Sequence, residues 1–287
     1  MLDKTLLKAV RVKPGKKFSL KDYDTGWPGG GLPEDLAIYK TRAAEVLKDN
    51  LAQLTEAQER LYADDRYALL IVLQAMDAAG KDSTIKHVMS GVNPQGCQVF
   101  SFKRPSAEEL DHTFLWRCMK ALPERGRIGL FNRSYYEDVL VTRVHPDLLE
   151  RQPLPSGKRG KAFWQERYED INAFEQHLTR NGTVVLKFFL HISKEEQKKR
   201  FLDRLREPEK HWKFSHADLA EREHWDAYMS AYEDAIAATS TSWAPWHVIP
   251  ADHKWVSRTL VAEIICRTLD KLEVRFPELS AQAQSAL

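Results

Sequence analysis

Short apolar segments alternate with longer amphipathic ones along the chain, and this alternation restricts the fold more than any other feature of the sequence. Residues 66–74 (RYALLIVLQ) and 183–192 (TVVLKFFLHI) are rich in β-branched and aromatic residues. Near-continuous apolar runs of this kind predict strands that are buried on both faces. Weaker strand patterns occur at residues 98–102, 127–131 and 246–249. The sequence therefore predicts an α/β fold, a three-layer sandwich with a mainly parallel five-stranded sheet between helices.

Helical patterns separate these strands. They are predicted at residues 34–60, from near Lys81 onward, and at residues 106–122, 162–180, 193–206, 215–238 and 254–273. Ser106 with Glu109, and Ser193 with Glu196, have the spacing of capping boxes and predict two helix starts. Residues 151–161 (RQPLPSGKRGK) predict a loop, because they combine proline, glycine and basic residues.

The length of 287 residues fits one large α/β domain, or one such domain with an inserted lid. Residues 1 to about 33 contain few apolar positions, so they predict an N-terminal extension that wraps the surface.

Composition argues against several other classes of protein. No apolar run approaches the roughly 20 residues of a membrane span, and the charged N-terminus lacks the apolar core of a signal peptide. The three cysteines form no CxxC pair, which argues against a disulfide framework and a zinc site. The formal net charge is +2, whereas a general nucleic-acid binder would be more basic. We therefore expect a cytoplasmic protein with no membrane and no nucleic-acid partner.

A glycine–lysine pair follows the first predicted strand. The run QAMDAAGKDST (residues 74–84) lies between a strand and a helix, which is the position of a phosphate-binding loop. Small residues let backbone N–H groups approach phosphate oxygens, the helix N-terminus adds a positive partial charge, and Lys81 adds a full one.

This run departs from the pattern G-x-x-x-x-G-K-[ST], because Ala75 replaces the first glycine and Asp82 replaces the usual hydroxyl residue. Asp77 is an unusual carboxylate inside such a loop, and it is explained if a metal ion bridges it to the phosphates. The alternative is a simple Gly-Lys turn that is capped by Asp82.

The third predicted strand is followed by NRSYYED (residues 132–138). Catalytic groups in open parallel sheets gather at the carboxyl ends of strands. Arg133 could clamp phosphate oxygens with its planar guanidinium, and Glu137 or Asp138 could hold Mg²⁺ or orient a nucleophile. The alternative is an ordinary helix start, where acidic residues interact favourably with the helix dipole. That alternative accounts for the two acids but not for Arg133.

Taken together, these segments resemble the polyphosphate kinase 2 family. The resemblance is carried by LQAMDAAGKDSTIKHVMSGVNPQGCQVFSFKRPSAEELDHTFLWR, IGLFNRSYYEDVLVTRVHP and LHISKEEQKKRFLDRL, and it extends from residues 12–24 to residues 248–255. It implies a single domain with a P-loop kinase-like fold, in which residues 194 to about 240 form a helical lid. The chain is most similar to the third class of the family, which is associated with phosphorylating both nucleoside monophosphates and diphosphates.

The resemblance also implies roles for individual residues. Asp77 would lie near the metal ions and the transferred phosphate, Lys81 would contact the phosphates, and Arg133 would be the arginine after the second motif strand. The first class has Asp and Asn at the positions of Asn132 and Glu137, so Glu137 is expected to supply the second metal-binding acid, as in the third class. Further phosphate- or nucleotide-binding residues are expected at Ala78, Ala79, Gly80, Asp82, Ser83, Thr84 and Asn132, although Ser83 stands where the family usually has glycine.

Basic residues cluster in the lid segment, and the sequence alone favours a solvated helix face for them. The resemblance gives more weight to a channel for a long polyanion. The expected channel residues are Lys103, Arg143, Arg200, Arg204, Lys210 and Lys213.

The expected reaction is Mg²⁺-dependent, reversible phosphoryl transfer from inorganic polyphosphate to AMP and ADP, without a phosphoenzyme. The expected partners are polyphosphate and adenine nucleotides, with guanine nucleotides left open, and the family suggests a homo-oligomer, either a dimer or a tetramer. Two alternatives remain from the sequence: an ATP-dependent nucleotide kinase on the same fold, and a non-catalytic protein that binds polyphosphate or nucleotides.

Overall fold

The computed structural model describes residues 2–28 and 36–278, and its core is a five-stranded sheet in which every pairing is parallel. The strands are β1 (Ala68–Ala75), β2 (Cys97–Ser101), β3 (Ile128–Asn132), β4 (Thr183–His191) and β5 (Trp246–Pro250). Their order across the sheet is β2-β3-β1-β4-β5. All five predicted strands and the α/β class are therefore confirmed.

The central strand β1 lies between β3 and β4, with Leu73 opposite Asn132 and Ala75 opposite Leu190. The chain leaves β1 toward one side of the sheet, to β2 and β3, and then crosses to the other side for β4 and β5. This reversal places a switch point at the carboxyl end of β1, which is where open α/β sheets bind ligands.

Helices cover both faces of the sheet. The α-helices are α1 (Lys4–Val10), α2 (Leu36–Asp64), α3 (Lys81–Val88), α4 (Ala107–Leu110), α5 (Trp116–Met119), α6 (Glu137–Val144), α7 (Pro146–Glu150), α8 (Lys161–Arg180), α9 (Lys194–Arg206), α10 (His216–Glu221), α11 (Trp225–Thr239) and α12 (Lys254–Asp270). Helices α2, α3 and α12 contact one another in one layer, and α6, α8 and α11 do so in another. No helix in residues 2–28 and 36–278 combines the length and the apolar character that a bilayer crossing requires.

Two predicted helices are interrupted in the structure. The segment predicted as one helix over residues 106–122 forms α4 and α5 with a turn between them. The capping box at Ser106 and Glu109 is complete, but the Thr113 hydroxyl accepts from Leu115 N (3.4 Å) in the turn that precedes α5. The segment predicted over residues 215–238 is divided into α10, a 3₁₀ turn at Arg222–His224, and α11.

The second predicted capping box forms only in part. Ser193 Oγ accepts from Glu196 N at 3.1 Å, as a helix N-cap should. The Glu196 carboxylate instead accepts from Arg200 Nε at 2.9 Å, so it does not return to the Ser193 backbone.

The N-terminal segment lies along the outer edge of the sheet. Arg11 forms an antiparallel bridge with His247, and Val12 N donates to Trp246 O at 2.9 Å. Val10 and Val12 are buried, so this segment contributes to the core and pairs part of the edge that β5 would otherwise expose. Residues 1 and 29–33 of the predicted extension, and residues 34–35 of the helix predicted over residues 34–60, lie outside the described residues.

Candidate active site

The loop between β1 and α3 has the backbone of an anion-binding turn. Ala78 and Gly80 have φ angles of 60° and 106°, and Gly80 is the N-cap of α3 without a side-chain capping bond. The N–H groups at the start of α3 therefore have no capping side chain to compete with a ligand. Lys81 Nζ donates to Ala75 O at 2.8 Å, so the ammonium group lies against the loop, and burial lowers its pKa against the opposing effect of Asp77.

Side chains of helix α9 donate hydrogen bonds to the backbone carbonyls of this loop. Gln197 Nε2 donates to Asp77 O at 2.9 Å, and Arg200 Nη1 donates to Ala78 O at 3.0 Å and Ala79 O at 2.8 Å. Three consecutive loop carbonyls are thus paired with side chains that are 120 or more residues away in the chain. These bonds fix the orientation of the peptide groups on which anion binding depends.

The turn after β3 brings a cation to the same place. Arg133 has a φ of 66°, and its Nη2 lies 3.2 Å from Asp77 Oδ1. Glu137 begins α6 four residues later. Burial lowers the pKa of Arg133, but the carboxylates of Glu137 and Asp77 outweigh it and raise that pKa overall. Burial raises the pKa of Glu137, although Arg133 and Lys81 act in the opposite direction.

Two cavities meet at Asp77 and Arg133. The first, which we call the phosphate-loop cavity, has a volume of about 470 Å³ and is lined by eight cationic and four acidic side chains. The second, the Glu137 cavity, has a volume of about 540 Å³ and is lined by Met76, Val141, Leu148, Tyr228 and Tyr232 together with Glu137 and Asp138. Asp77, Lys103, Arg133 and Asp218 line both cavities. The arrangement can therefore hold two ligands whose ends approach the same acid and the same guanidinium.

Most residues expected in the phosphate loop do line the phosphate-loop cavity: Asp77, Ala78, Gly80, Lys81, Asp82, Ser83 and Asn132. Ala79 and Thr84 are buried beneath it. Asn132 Nδ2 donates to Asp82 Oδ1 at 2.7 Å, and Ser83 Oγ accepts from Arg258 Nη2 at 2.7 Å. Asn132 and Ser83 are thus held by partners on α3 and α12 rather than being left free.

The predicted channel cations separate into three groups. Lys103, Arg204, Lys210 and Lys213 line the phosphate-loop cavity. Arg200 also borders it, but its donors are engaged by Glu196 and by the carbonyls of Ala78, Ala79, Ala251 and Asp252. Because a guanidinium has only five N–H groups, Arg200 supports the loop in this structure instead of offering a free donor.

Arg143 is not among the residues that line the phosphate-loop cavity, unlike the other predicted channel cations. It donates to Tyr168 Oη at 2.8 Å and pairs with the Asp234 carboxylate. These contacts join α6 to α8 and α11, away from the residues of the phosphate-loop cavity. The segment of α6 that carries Arg143 faces other helices, and sequence position alone did not reveal this.

Several cavity residues were missed by sequence reasoning. Lys254, Trp212, Asp203 and Asp218 line the phosphate-loop cavity, and Tyr228 and Tyr232 line the Glu137 cavity. Lys254 was detectable, because it begins the helix that follows β5 and strand carboxyl ends gather ligand groups. Asp218 carried no such signal; it accepts from Arg204 Nη1 at 3.1 Å, and burial together with Asp77 raises its pKa.

The residues present fit Mg²⁺ held partly by substrate. No group of three or more His, Cys, Asp or Glu side chains within residues 2–28 and 36–278 is arranged to hold a metal ion. Mg²⁺ commonly uses one or two carboxylates and takes its other ligands from phosphates and water. Asp77 and Glu137, which line the same cavity, supply such a pair of carboxylates.

Comparisons with known proteins identify the family to which the chain belongs. The family model Polyphosphate kinase 2 (PPK2) matches residues 38–277. The chain is 51% identical over 283 residues to an ADP-polyphosphate phosphotransferase of Rhodopseudomonas palustris, which covers 98% of this chain and 95% of the relative. It is 45% identical over 275 residues to an AMP/ADP-polyphosphate phosphotransferase of Meiothermus ruber, with 95% and 96% covered.

A solved structure is similarly close. The crystal structure of polyphosphate kinase 2 from Arthrobacter aurescens matches with a TM-score of 0.88 and 41% identity, over 100% of this chain and 97% of that one. The family match, the two relatives and the solved structure all indicate the same family. The chain belongs to the polyphosphate kinase 2 family.

Proposed function

We propose that this enzyme transfers phosphoryl groups reversibly from inorganic polyphosphate to AMP and ADP, with Mg²⁺ as cofactor. The observation that carries the proposal is the meeting of two differently lined cavities at Asp77 and Arg133. A transferase for two phosphorylated substrates must bring their terminal phosphates close together. Two cavities that are lined by the same residues at one end allow this. The names of the R. palustris and M. ruber relatives support ADP and AMP as acceptors.

Polyphosphate fits the phosphate-loop cavity. Its lining has eight cationic against four acidic side chains, which suits a chain with about one negative charge per phosphate. Lys210 and Lys213 lie on the 3₁₀ segment Pro208–Lys213, and both line the cavity together with the residues of the phosphate loop. A polyanion that enters there would have its terminal phosphate at the N-terminus of α3.

The nucleotide fits the Glu137 cavity, which is richer in apolar and aromatic side chains. A third cavity of about 640 Å³, the outer cavity, adjoins it through Arg117, Asp138 and Gln152. Phe114 and Phe163 line the outer cavity, and the Arg167 guanidinium carbon lies 4.2 and 5.1 Å from the centres of their rings. A purine base could reach these side chains while its phosphates stay near Arg133. Whether guanine is accepted beside adenine depends on this region.

The protein side chains act mainly by placement and charge. Arg133 would hold oxygens of the transferred phosphoryl group, with Asp77 fixing its guanidinium at 3.2 Å. Lys81 would exchange its bond to Ala75 O for a phosphate oxygen when polyphosphate binds. The acceptor phosphate would attack directly, so no side chain becomes phosphorylated. Residues 194–240 would close over the site and exclude water.

Mg²⁺, when bound by Asp77 and Glu137 and by substrate oxygens, supplies neutralisation of the charge on the phosphates. Removal of divalent metal with a chelator should therefore abolish turnover, and added Mg²⁺ should restore it.

The direct test is an assay with purified protein, Mg²⁺, long-chain polyphosphate and either AMP or ADP, without added ATP. Chromatography should reveal ADP formed from AMP and ATP formed from ADP. Parallel samples without polyphosphate correct for ATP that arises by dismutation of ADP. GMP and GDP in place of the adenine nucleotides test base preference.

Other outcomes have distinct meanings. Formation of ATP from ADP without use of AMP would keep the family and change the class. Turnover only with ATP as donor would point to an ordinary nucleotide kinase, and binding without turnover would point to a binding protein. A cytoplasmic location and a homo-oligomeric state remain predictions from the sequence.

A further inference from the structure

A fully buried ion pair lies behind the turn that carries Arg133 and Glu137. Lys187 Nζ of β4 lies 2.5 Å from Glu175 Oε2 of α8, and both side chains have no exposed surface. The proposed mechanism gives neither residue a part in binding or chemistry. Burial lowers the pKa of Lys187, against the opposing effect of Glu175.

The pair is hydrogen-bonded to Tyr135 and Tyr136, which lie in the turn from Arg133 to Glu137 that we call the catalytic turn. The Tyr135 and Tyr136 hydroxyls each donate to Glu175 Oε1 at 2.9 Å. Lys187 Nζ donates to Tyr136 Oη at 2.9 Å. Tyr135 and Tyr136 are the second and third residues after Arg133, and Glu137 is the next residue.

The same ammonium group also holds the end of α11. Lys187 Nζ donates to Thr239 O at 2.7 Å, and the Thr239 hydroxyl accepts from Trp246 Nε1 at 2.9 Å. Helix α11 contributes Tyr228 and Tyr232 to the Glu137 cavity. The Lys187–Glu175 pair thus connects the catalytic turn with a helix that lines the same cavity.

A contribution to folding stability is a weak explanation for a buried ion pair such as Lys187–Glu175. Desolvation of two charges costs several kcal/mol per ion, and buried ion pairs can often be replaced by apolar side chains of similar volume without loss of stability. A satisfied polar network does, however, hold its members in one arrangement. The arrangement held here includes a left-handed Arg133 backbone, which the surrounding structure must maintain.

We propose that Lys187 and Glu175 are positioning residues, which hold Arg133 and Glu137 in their catalytic places through the hydroxyls of Tyr135 and Tyr136. This inference rests on the proposed function, because it assigns Arg133 and Glu137 to the transferred phosphate and the metal. The network acts on the rate of transfer and on metal binding at Glu137, and it affects polyphosphate binding less, because seven cations besides Arg133 line the phosphate-loop cavity.

The test replaces the polar network with apolar side chains, so that an effect on the placement of Arg133 and Glu137 can be distinguished from an effect on the stability of the protein. The quadruple variant Tyr135→Phe, Tyr136→Phe, Glu175→Leu and Lys187→Met removes the hydroxyls and both charges but keeps similar volumes. We expect a kcat reduced roughly 10- to 100-fold and a KM for polyphosphate that changes much less, because the other cations of the phosphate-loop cavity remain. The Tm should fall only modestly, because the two charges are removed together and the main loss is the donor to Thr239 O. The Kd of Mn²⁺ in the presence of ADP, measured by electron paramagnetic resonance, should rise severalfold.

A milder variant keeps the test decisive if the quadruple variant does not fold. Tyr135→Phe with Tyr136→Phe leaves the ion pair in place and removes only the two anchoring hydroxyls. Its kcat should fall roughly fivefold to tenfold, with the same direction of change in Mn²⁺ binding.

Glu263→Gln is the matched control, because Glu263 is a buried acid that pairs with Arg267 at 2.6 Å on α12 and does not line the cavities of the site. It should lower the Tm without changing kcat or Mn²⁺ binding. A folded Tyr135/Tyr136 double variant with wild-type kcat and wild-type Mn²⁺ binding would overturn the inference. An inactive wild-type protein in the same assay would instead overturn the proposed function, and with it this inference.

Discussion

At the scale of single residues, Asp77 lines both cavities and pairs with Arg133, which lines both as well. Its carboxylate is part of the phosphate loop and pairs with Arg133, while its backbone carbonyl accepts from Gln197. The side chain keeps about 26% of its surface exposed, so it can reach a ligand. The carboxylate and the carbonyl therefore have separable roles, one toward the substrates and one toward the loop.

Asp77→Asn should reduce kcat by roughly 100-fold or more, because the amide is neutral and binds Mg²⁺ poorly. The Tm should change little, since the amide keeps the shape of the side chain and the Gln197 bond uses the backbone. Initial rates and thermal unfolding measure the two effects. Glu124→Gln, which alters an exposed pair with Arg127, is the control and should leave both values unchanged. Turnover near the wild-type rate would remove Asp77 from the metal site.

At the scale of elements, the segment Pro208–Lys213 brings cations to the phosphate-loop cavity. Lys210 pairs with Glu207, and the Lys213 ammonium lies 4.9 Å from the centre of the Trp212 ring. Neither contact is buried, so both ammonium groups can turn toward a polyanion. The solvated-face interpretation of this cluster now applies to residues such as Lys198, which is exposed and lies outside the cavity.

Replacement of both lysines, Lys210→Gln with Lys213→Gln, should raise the KM for long-chain polyphosphate roughly fivefold. The effect is modest because ion pairs between exposed groups are weakened by water and by salt. The KM for ADP should stay the same, and the difference from wild type should shrink at high salt. Lys198→Gln is the matched control. Equal effects of Lys198→Gln and of the double variant would indicate only a general loss of positive charge.

Strands β4 and β5 carry two buried histidines, and these make stability depend on pH. Burial lowers the pKa of both His191 and His247 to about 4, whereas an unfolded histidine titrates at its ordinary value of 6.5. As pH falls below 6.5, the unfolded chain binds protons that the native state rejects. Native stability is therefore present above this pH and is lost progressively down to about pH 4.

Each histidine should account for roughly 2–3 kcal/mol of this loss, at about 1.4 kcal/mol per pKa unit. Urea unfolding between pH 7.5 and pH 4.5 should reveal the decline. His247→Gln should make the stability less dependent on pH over this range, while His177→Gln, at an exposed position on α8, should not. An equal slope in wild type and His247→Gln would exclude this source of the pH dependence.

At the scale of the whole molecule, the N-terminal segment is part of the core although it precedes the family match. Val12 pairs with β5, Ser240 Oγ donates to Val12 O at 3.1 Å, and Leu20 N donates to Glu233 Oε2 at 2.8 Å. These contacts join the first residues of the chain to β5 and α11, on the side of the sheet away from β2.

Val12→Ala should destabilise the protein by roughly 1–3 kcal/mol, because it removes buried methyl groups and leaves a small cavity. This corresponds to a decrease in Tm of several degrees, at about 2–4 °C per kcal/mol. The kcat should not change, since Val12 pairs with Trp246 at the amino end of β5, whereas the site lies at the carboxyl ends of the strands. Val99→Ala on the exposed side of β2 is the control. An unchanged Tm in Val12→Ala would contradict a structural role for the segment.

The sequence by itself determined the five strands and the α/β class, and these predictions succeed because buried strands depend on residues close together in the chain. The sequence also pointed to Asp77, Lys81, Arg133 and Glu137, and the structure places all four along the two cavities, while their catalytic roles stay predictions. The broken helices at residues 106–122 and 215–238 were not predicted, because local periodicity does not include the turns that tertiary contacts impose.

Only the tertiary structure decided which cations reach the cavity. The order β2-β3-β1-β4-β5 brings the loops after β1, β3 and β5 together, so that Lys254 joins the site. Arg200 is turned beneath the phosphate loop, and Arg143 is paired with Asp234 on α11. The buried Lys187–Glu175 pair was likewise invisible in the sequence, where Lys187 interrupts an apolar strand. Each of these placements depends on partners far away in the chain, and their contacts exist only once the sheet and its helices have packed.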